Sequence, residues 1–508
     1  MAWIITVDIG TTAMKTGLFT EKLVCLHMVT HEYELDRPRT GWLELPPNVY
    51  LEQMASGIHD ILSQCPEAAE RVGAISLTSQ GETLIFVDAD NSPQHPAIIW
   101  LDSRAGAEAR QLTESISNDR FYRMTGLPEN NPAMPAAKVL WFSRNHPELF
   151  AKTRKVLLLV DWLALYLTGL FVSDDSIQSS TGWFNINDRT FWPEMLDAVG
   201  LRADQLPGVL SCGTSAGCLL TDVAKKLGLK QEVQVVLCGM DQASSAIGGG
   251  NFQSGVVCET TGTALVISAA IDKPDYERLE RITFLAHVGG GYLMLPYCPT
   301  AGMLLKWFRR EFAHREELAG RETGASVYEL LDCLAESGKG WEKGLFLLPD
   351  FEGKLTPEPN PGACGVLFGL TLDTTRADMA RALLESVGFM LRENIAMLEA
   401  YGVSVDSVRS LGGGAKSHIW GKIKADILQK TVYPQSFSES TSLGAAMLGQ
   451  VASGAFPNLE SAFAAAVAGA VEVKIRPDST SAAESDRAYE QYKLVYQSLL
   501  PAFRNFRC

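Results

Sequence analysis

Short apolar runs alternate along the chain with turns rich in glycine and threonine, and that rhythm predicts a mixed α/β architecture. Residues 4–8 read as a strand, Ile9-Gly10-Thr11-Thr12 as a tight turn, and 13–19, which alternates, as a second strand; 23–30 makes a third. Helical spacing follows at 50–63, then strands at 72–78, 84–87 and 98–100, with a charged helix after Arg104. Helices are predicted at 136–144 and 156–166, the latter inside the most apolar run, 156–172. Residues 233–237 read as a buried strand ended by Gly239, which leaves Asp241 at its carboxyl edge. A strand at 255–259, the turn Thr260-Thr261-Gly262-Thr263 and a strand at 264–268 come next. Further on, the pattern predicts helices at 303–312 and 375–401 and a strand at 366–370. A glycine turn at 410–417 feeds a helix at 420–429, and a small-residue helix opens at Thr441 that would let another backbone come close. An alanine-rich helix at 463–470 and a terminal helix at 482–503 complete the pattern.

The strand–turn–strand of residues 4–19 returns at 255–268, again around threonine and glycine. A repeated hairpin predicts two domains of like topology across a cleft, residues 1–246 and 247–508, the layout of actin-like ATPases. Neither a GxGxxG turn nor a P-loop GxxxxGK[ST] is present at the first turn. A turn between two strands instead points successive N–H groups and threonine hydroxyls at one spot, where an anion can sit.

Composition narrows the picture. The chain has 508 residues, 46% hydrophobic and 20% charged, which suits two large globular domains. Its net charge of −15 argues against nucleic acid or an anionic membrane as the main partner, though not against ATP gripped locally. The ten cysteines show no metal spacing and read as reduced thiols of a cytoplasmic protein. No secretion signal is evident, and the apolar run at 156–172 is too short and broken for a membrane span.

Polar residues gather at predicted strand ends. Gln80, Glu82, Trp100 and Asp102 read as the lining of a polyhydroxylated pocket, although each alone is more often a cap or a surface pair. Trp183 is a candidate sugar platform, with a packed tryptophan as the ordinary alternative. Asp241 alone reads as a helix cap.

Taken in order, Asp8-Ile9-Gly10-Thr11-Thr12, Gly239-Met240-Asp241-Gln242, Thr261-Gly262-Thr263, Gly412-Gly413-Gly414-Ala415 and Leu443-Gly444-Ala445-Ala446 resemble the FGGY carbohydrate kinases over nearly the whole chain, most closely the xylulokinases. The resemblance implies two actin-like (ribonuclease H-like) ATPase domains, the first sugar-binding and the second nucleotide-binding. They would move the γ-phosphate of ATP to a sugar hydroxyl, with D-xylulose as the expected acceptor. Carried over, Asp241 is the catalytic base, Gln242 its neighbour at the sugar, and Asp8 the carboxylate that orients Mg²⁺. Gly10, Thr11, Thr12 and Lys15 match the first phosphate loop, Gly262 and Thr263 the second, and Gly413, Gly414, Ala415 and Ser417 the strip against the nucleotide. Gln80, Gly81, Glu82, Trp100 and Asp102 match the sugar side. Xylulokinases typically carry Met-His where this chain has Gly81-Glu82, and the Glu resembles the glycerol kinase pattern; Trp100 and Asp102 fit the xylulokinase one. Kinases for glycerol, erythritol or L-ribulose, a non-catalytic actin-like sensor, and an actin-like ATPase acting on protein clients stand as alternatives. The partner expected is a small sugar or polyol, with no nucleic acid or membrane, and a homodimer left open.

Overall fold

The structure, a computed structural model, describes residues 2–252, 255–278, 281–435, 439–468 and 473–505. Its frame is two sheets of matching topology. In the first, Trp3–Ile9 runs antiparallel to Ala13–Phe19 and parallel to Val72–Ser79, with Cys25–Glu32 beyond the hairpin and Gln234–Met240 beyond Val72–Ser79. In the second, Gly255–Thr261 runs antiparallel to Leu265–Ile271 and parallel to Val405–Leu411, with Tyr292–Leu295 and Thr431–Pro434 in the corresponding outer places. The repeated hairpin expected from the sequence is therefore a repeated sheet.

The first strand is buried on both faces, which is why it reads as an apolar run rather than an alternation. Helix Pro47–Gln64 packs on the hairpin, and helix Ser440–Ala452 lies on strands Trp3–Ile9 and Val72–Ser79. A C-terminal helix thus rests on the N-terminal sheet. That helix crosses Asp241–Gly248 at backbone distance: a Cβ on Gly444 would sit 1.9 Å from the Ser244 carbonyl oxygen, and one on Gly248 would sit 2.0 Å from that of Ser440. The small residues of 443–446 permit this approach, as their pattern suggests.

Several expectations need correction. The run at 156–166 is not one helix but a strand, Lys155–Leu158, followed by a helix, Leu159–Thr168. Leu157 and Val156 pair with Ile85 and Phe86, and the Asp161 carboxylate accepts from the Leu158 N–H at 2.9 Å to start the helix. A run buried on all sides carries no periodicity to separate the two. Gly239 does not end its strand: it has φ +75° at a register shift, and pairing resumes at Met240. Trp183 is 1% exposed and donates to Gln178, so it is core rather than a sugar platform. Among the described residues eight cysteines are free, but Cys364 is disulfide-bonded, against the expectation of thiols throughout. The alanine-rich helix spans Leu459–Val467, and residues 469–470 of the predicted span lie outside those described. Among the described residues no helix is long and apolar enough to cross a membrane.

Because a side chain at the crossing must displace backbone, Gly444→Ala should destabilise the protein by about 1–3 kcal/mol, the usual size of overpacking. Chemical denaturation checks this; an unchanged midpoint would contradict the tight crossing.

Candidate active site

The two crossing helices begin at the same place. Asp241, Gln242 and Ser245 from one, and Ser440 and Thr441 from the other, line a cavity of about 360 Å³ together with Asp8, Gly10, Thr11, Thr12, Lys15, Thr260 and Gly412. Two helix N-termini and a strand turn thus aim N–H groups into one cleft, an environment suited to phosphate.

The first turn is braced from several sides. Gly10 N–H donates to the Ala13 carbonyl at 3.0 Å, and the Tyr33 hydroxyl donates to the Gly10 carbonyl. Trp100 Nε1 donates to Thr11 Oγ1 at 2.9 Å, tying a residue expected at the sugar to the phosphate turn. Asp8 and Lys15 are register partners on neighbouring strands, so both project from one face. Lys15 Nζ lies 2.5 Å from Glu439 Oε2, 424 residues away in sequence, so the lysine faces a carboxylate at the start of the second helix. A triphosphate entering the cleft would compete for that cation.

Asp241 stands at the first turn of its helix, where its Oδ1 accepts from the Gln242 N–H at 2.6 Å. Burial, opposed by that hydrogen bond and assisted by Glu82, pushes its carboxyl up to about 6. Burial and the nearby Asp241 push Asp8 up to about 7, with Lys15 pulling the other way. Two crowded carboxylates favour the arrival of a cation, and one carboxylate plus phosphate oxygens is an ordinary Mg²⁺ donor set. Asp8 therefore fits the metal role expected of it.

The turn that carries Asp241 is held from below by residues the sequence did not single out for this role. Asp174 Oδ2 accepts from Gly239 N–H at 3.1 Å, and Thr78 Oγ1 donates to the Gly239 carbonyl at 2.9 Å. Ser244 Oγ donates to the Cys238 carbonyl at 2.6 Å.

Gln80, Gly81, Glu82, Trp100 and Asp102 do not line the cavity themselves but sit behind or beside it. Gln80 is 4% exposed and its amide makes no well-formed hydrogen bond, with the Tyr50 hydroxyl beside it. Gly81 packs so tightly that a Cβ would lie 2.8 Å from Ser180 Oγ. Glu82 has φ +59°, and burial pushes its carboxyl up while Lys138 holds it down. Lys138, fully buried among the apolar residues of helix Pro135–Asn145, donates to the carbonyls of Ile99 at 2.9 Å, Trp100 at 3.1 Å and Glu82 at 3.3 Å. It fixes the strand ends of the sugar side, and its place between Ala137 and Val139 was the only signal for it. Asp102 is committed elsewhere: its oxygens accept from Arg104 at 2.7 and 2.8 Å and from the Leu43 N–H at 2.5 Å.

On the nucleotide side, Gly262 and Gly413 face open space, whereas Gly414 packs on Thr261, where a Cβ would lie 2.7 Å from Thr261 Cβ. Ala415 continues the short helix Gly413–Lys416, and Thr263 follows Gly262 with its carbonyl accepting from Ala301 at 3.0 Å. Ser417 caps the next helix by accepting from Trp420 N–H at 3.1 Å. Glu439, Ser440, Thr441 and Ser245 enter the cleft without having been expected there, because only the helix crossing brings them in, while Thr260 enters it from the end of strand Gly255–Thr261.

Comparison with known proteins agrees with this geometry. The N-terminal domain of the FGGY family of carbohydrate kinases matches residues 3–248, and the C-terminal domain of that family matches residues 256–453. The chain is 30% identical to the xylulose kinase of Escherichia coli (strain K12) over 504 residues, covering 97% of this chain and 99% of that one. It is 28% identical to the gluconokinase of Bacillus subtilis (strain 168) over 455 residues, covering 89% and 88%. The crystal structure of xylulose kinase from Rhodospirillum rubrum superposes with a TM-score of 0.88 at 25% identity, covering 99% of this chain and all (100%) of that one. The paired sheets, the cleft between them and both domain matches lead to one conclusion: the chain belongs to the FGGY family of ATP-dependent carbohydrate kinases and has their two-domain actin-like fold.

Proposed function

We infer that Asp241 is the base that takes the proton of an acceptor hydroxyl while the cleft delivers the γ-phosphate of ATP, and that the acceptor is a neutral ketose, D-xylulose being the best candidate. The observation that carries this reading is the single cavity shared by Asp241, Asp8, Thr11, Thr12 and Lys15. Phosphoryl transfer needs alignment and charge neutralisation more than covalent help. The turn N–H groups and Lys15 would hold the phosphates, Asp8 would hold Mg²⁺, and Gln242 would orient the sugar beside the base. Mg²⁺, when bound, supplies charge neutralisation on the phosphate oxygens. Gly262, Thr263, Gly413, Gly414 and Ala415 would flank the nucleotide, with Ser417 contributing as a cap rather than a direct contact.

A neutral acceptor follows from charge. Asp8, Glu82 and Asp241 crowd the acceptor side, and the Lys138 ammonium is spent on three carbonyls. An acid such as gluconate, suggested by the gluconokinase relative, would meet repulsion from whichever of these carboxyls are ionised, reduced by Lys15 beside Asp8 and Lys138 beside Glu82. Gln80 and Glu82 can instead exchange hydrogen bonds with hydroxyls. Glu82 also favours a second reading, a small polyol such as glycerol. The expected setting is the cytoplasm, with a homodimer as one possible assembly.

Four measurements test this. An ADP-release assay should show turnover with D-xylulose well above that with gluconate or glycerol; a preference for gluconate would contradict the charge argument, and one for glycerol would favour the polyol reading. Asp241→Asn should lower kcat by roughly 10²–10⁴-fold, and near-normal turnover would refute the base. With MgATP saturating, so that Asp8 is already engaged, log kcat/KM for the sugar should rise with pH up to about 6, where the base loses its proton, and then level off. The same raised value means that ionised Asp241 costs stability above the usual carboxylate range. Asp241→Asn should therefore melt higher than the parent at neutral pH, with the gain shrinking as pH falls below about 6 and the parent becomes protonated. A variant that melts lower at neutral pH would contradict that cost.

A further inference from the structure

Behind the second Thr/Gly turn lies an ion pair sealed from solvent. Lys424 Nζ is 2.6 Å from Glu259 Oε1, and both side chains are 0% exposed. Thr261 Oγ1 donates to Glu259 Oε2 at 2.7 Å and accepts from Lys424 Nζ at 2.9 Å. Ser410 Oγ donates to Glu259 Oε1. Four side chains from three elements close this network: strand Gly255–Thr261, strand Val405–Leu411 and helix His418–Leu428.

Both strands lead to a nucleotide-side residue. Thr260, beside Thr261, lines the cavity, and Gly262 follows immediately. Gly412 lies two residues after Ser410 and lines the same cavity, while Gly414 packs on Thr261. From the far side the turn is tied only through its backbone: Gly302 N–H donates to the Gly262 carbonyl at 2.8 Å and Ala301 N–H to that of Thr263 at 3.0 Å.

A fully buried ion pair is a poor source of stability, because desolvation offsets most of the attraction and an apolar pair of like size often does as well. What it supplies here is direction. In a low-dielectric interior the pair holds only in good geometry, and it gives partners to two hydroxyls that would otherwise be buried unsatisfied. We propose that Glu259 and Lys424 are positioning residues for ATP, locking the second phosphate turn to the glycine turn at 412–414 so that both face the nucleotide in one fixed register. The proposal rests on the reading that these turns hold the nucleotide.

Glu259→Gln and Lys424→Met test it, with ATP and sugar affinity measured by calorimetry well below each variant's melting temperature. Both variants should weaken ATP roughly tenfold, the loss of about one well-made hydrogen-bond network, with sugar affinity and the pH profile unchanged. The two variants leave buried charges of opposite sign, so a role through charge alone would shift ATP affinity in opposite directions. Opposite shifts, unchanged ATP affinity, or equal loss for ATP and sugar would each overturn the proposal. The pair replaced together, Glu259→Leu with Lys424→Met, should recover melting temperature while ATP stays weak; recovery of both would make the pair merely structural and would also overturn it. Failure of the parent protein to bind ATP would instead count against the reading of the turns.

Discussion

The active site is organised by two helices that cross at backbone distance, with the Ser245 and Ser440 hydroxyls hydrogen-bonded across the crossing at 2.9 Å. Gly248 and Gly444 let the backbones of Asp241–Gly248 and Ser440–Ala452 touch, and the crossing brings both N-termini to one opening. One helix contributes Asp241. The other contributes Ser440 and Thr441, preceded by Glu439 opposite Lys15. A side chain at either glycine would have to push the two helices apart. Since catalysis here is chiefly alignment, the cost would fall on rate as well as on stability.

The two sheets use the same hairpin but brace it differently. The first turn is held by hydrogen bonds from Tyr33 and Trp100, which couple it to the sugar side. The second rests on a buried ion pair and on backbone bonds to Ala301 and Gly302. Such rigid supports suit a cleft that must hold one substrate's phosphate in line with another's hydroxyl. The raised carboxyls of Asp8 and Asp241 show the cost of that arrangement, since both charges are crowded and partly desolvated before any ligand arrives.

Much of this was legible in the sequence because short turns carry their own signals. Gly10-Thr11-Thr12 and Thr261-Gly262-Thr263 sit between apolar strands that fix their ends, and Asp241 stands where a strand's carboxyl edge meets a helix. The small residues of 443–446 announced a close approach without naming the partner. What could not be read was tertiary. Glu439 reaches Lys15 only through the fold, Asp174 reaches Gly239 from the end of strand Val172–Asp174, and Lys138 looks like a surface lysine until burial places it. Asp102 matched a sugar-side pattern yet spends its carboxylate on Arg104 and Leu43, a commitment that only coordinates reveal.

The central claim is that one carboxylate at the helix crossing meets the acceptor hydroxyl facing the terminal phosphate. A crystal structure of the protein with a non-hydrolysable ATP analogue, Mg²⁺ and D-xylulose tests it most directly. The account predicts a sugar hydroxyl within about 2.6–3.2 Å of an Asp241 oxygen and in line with the γ-phosphorus, with the triphosphate between the two Thr/Gly turns. A sugar bound away from Asp241, or a triphosphate outside that cleft, would contradict it.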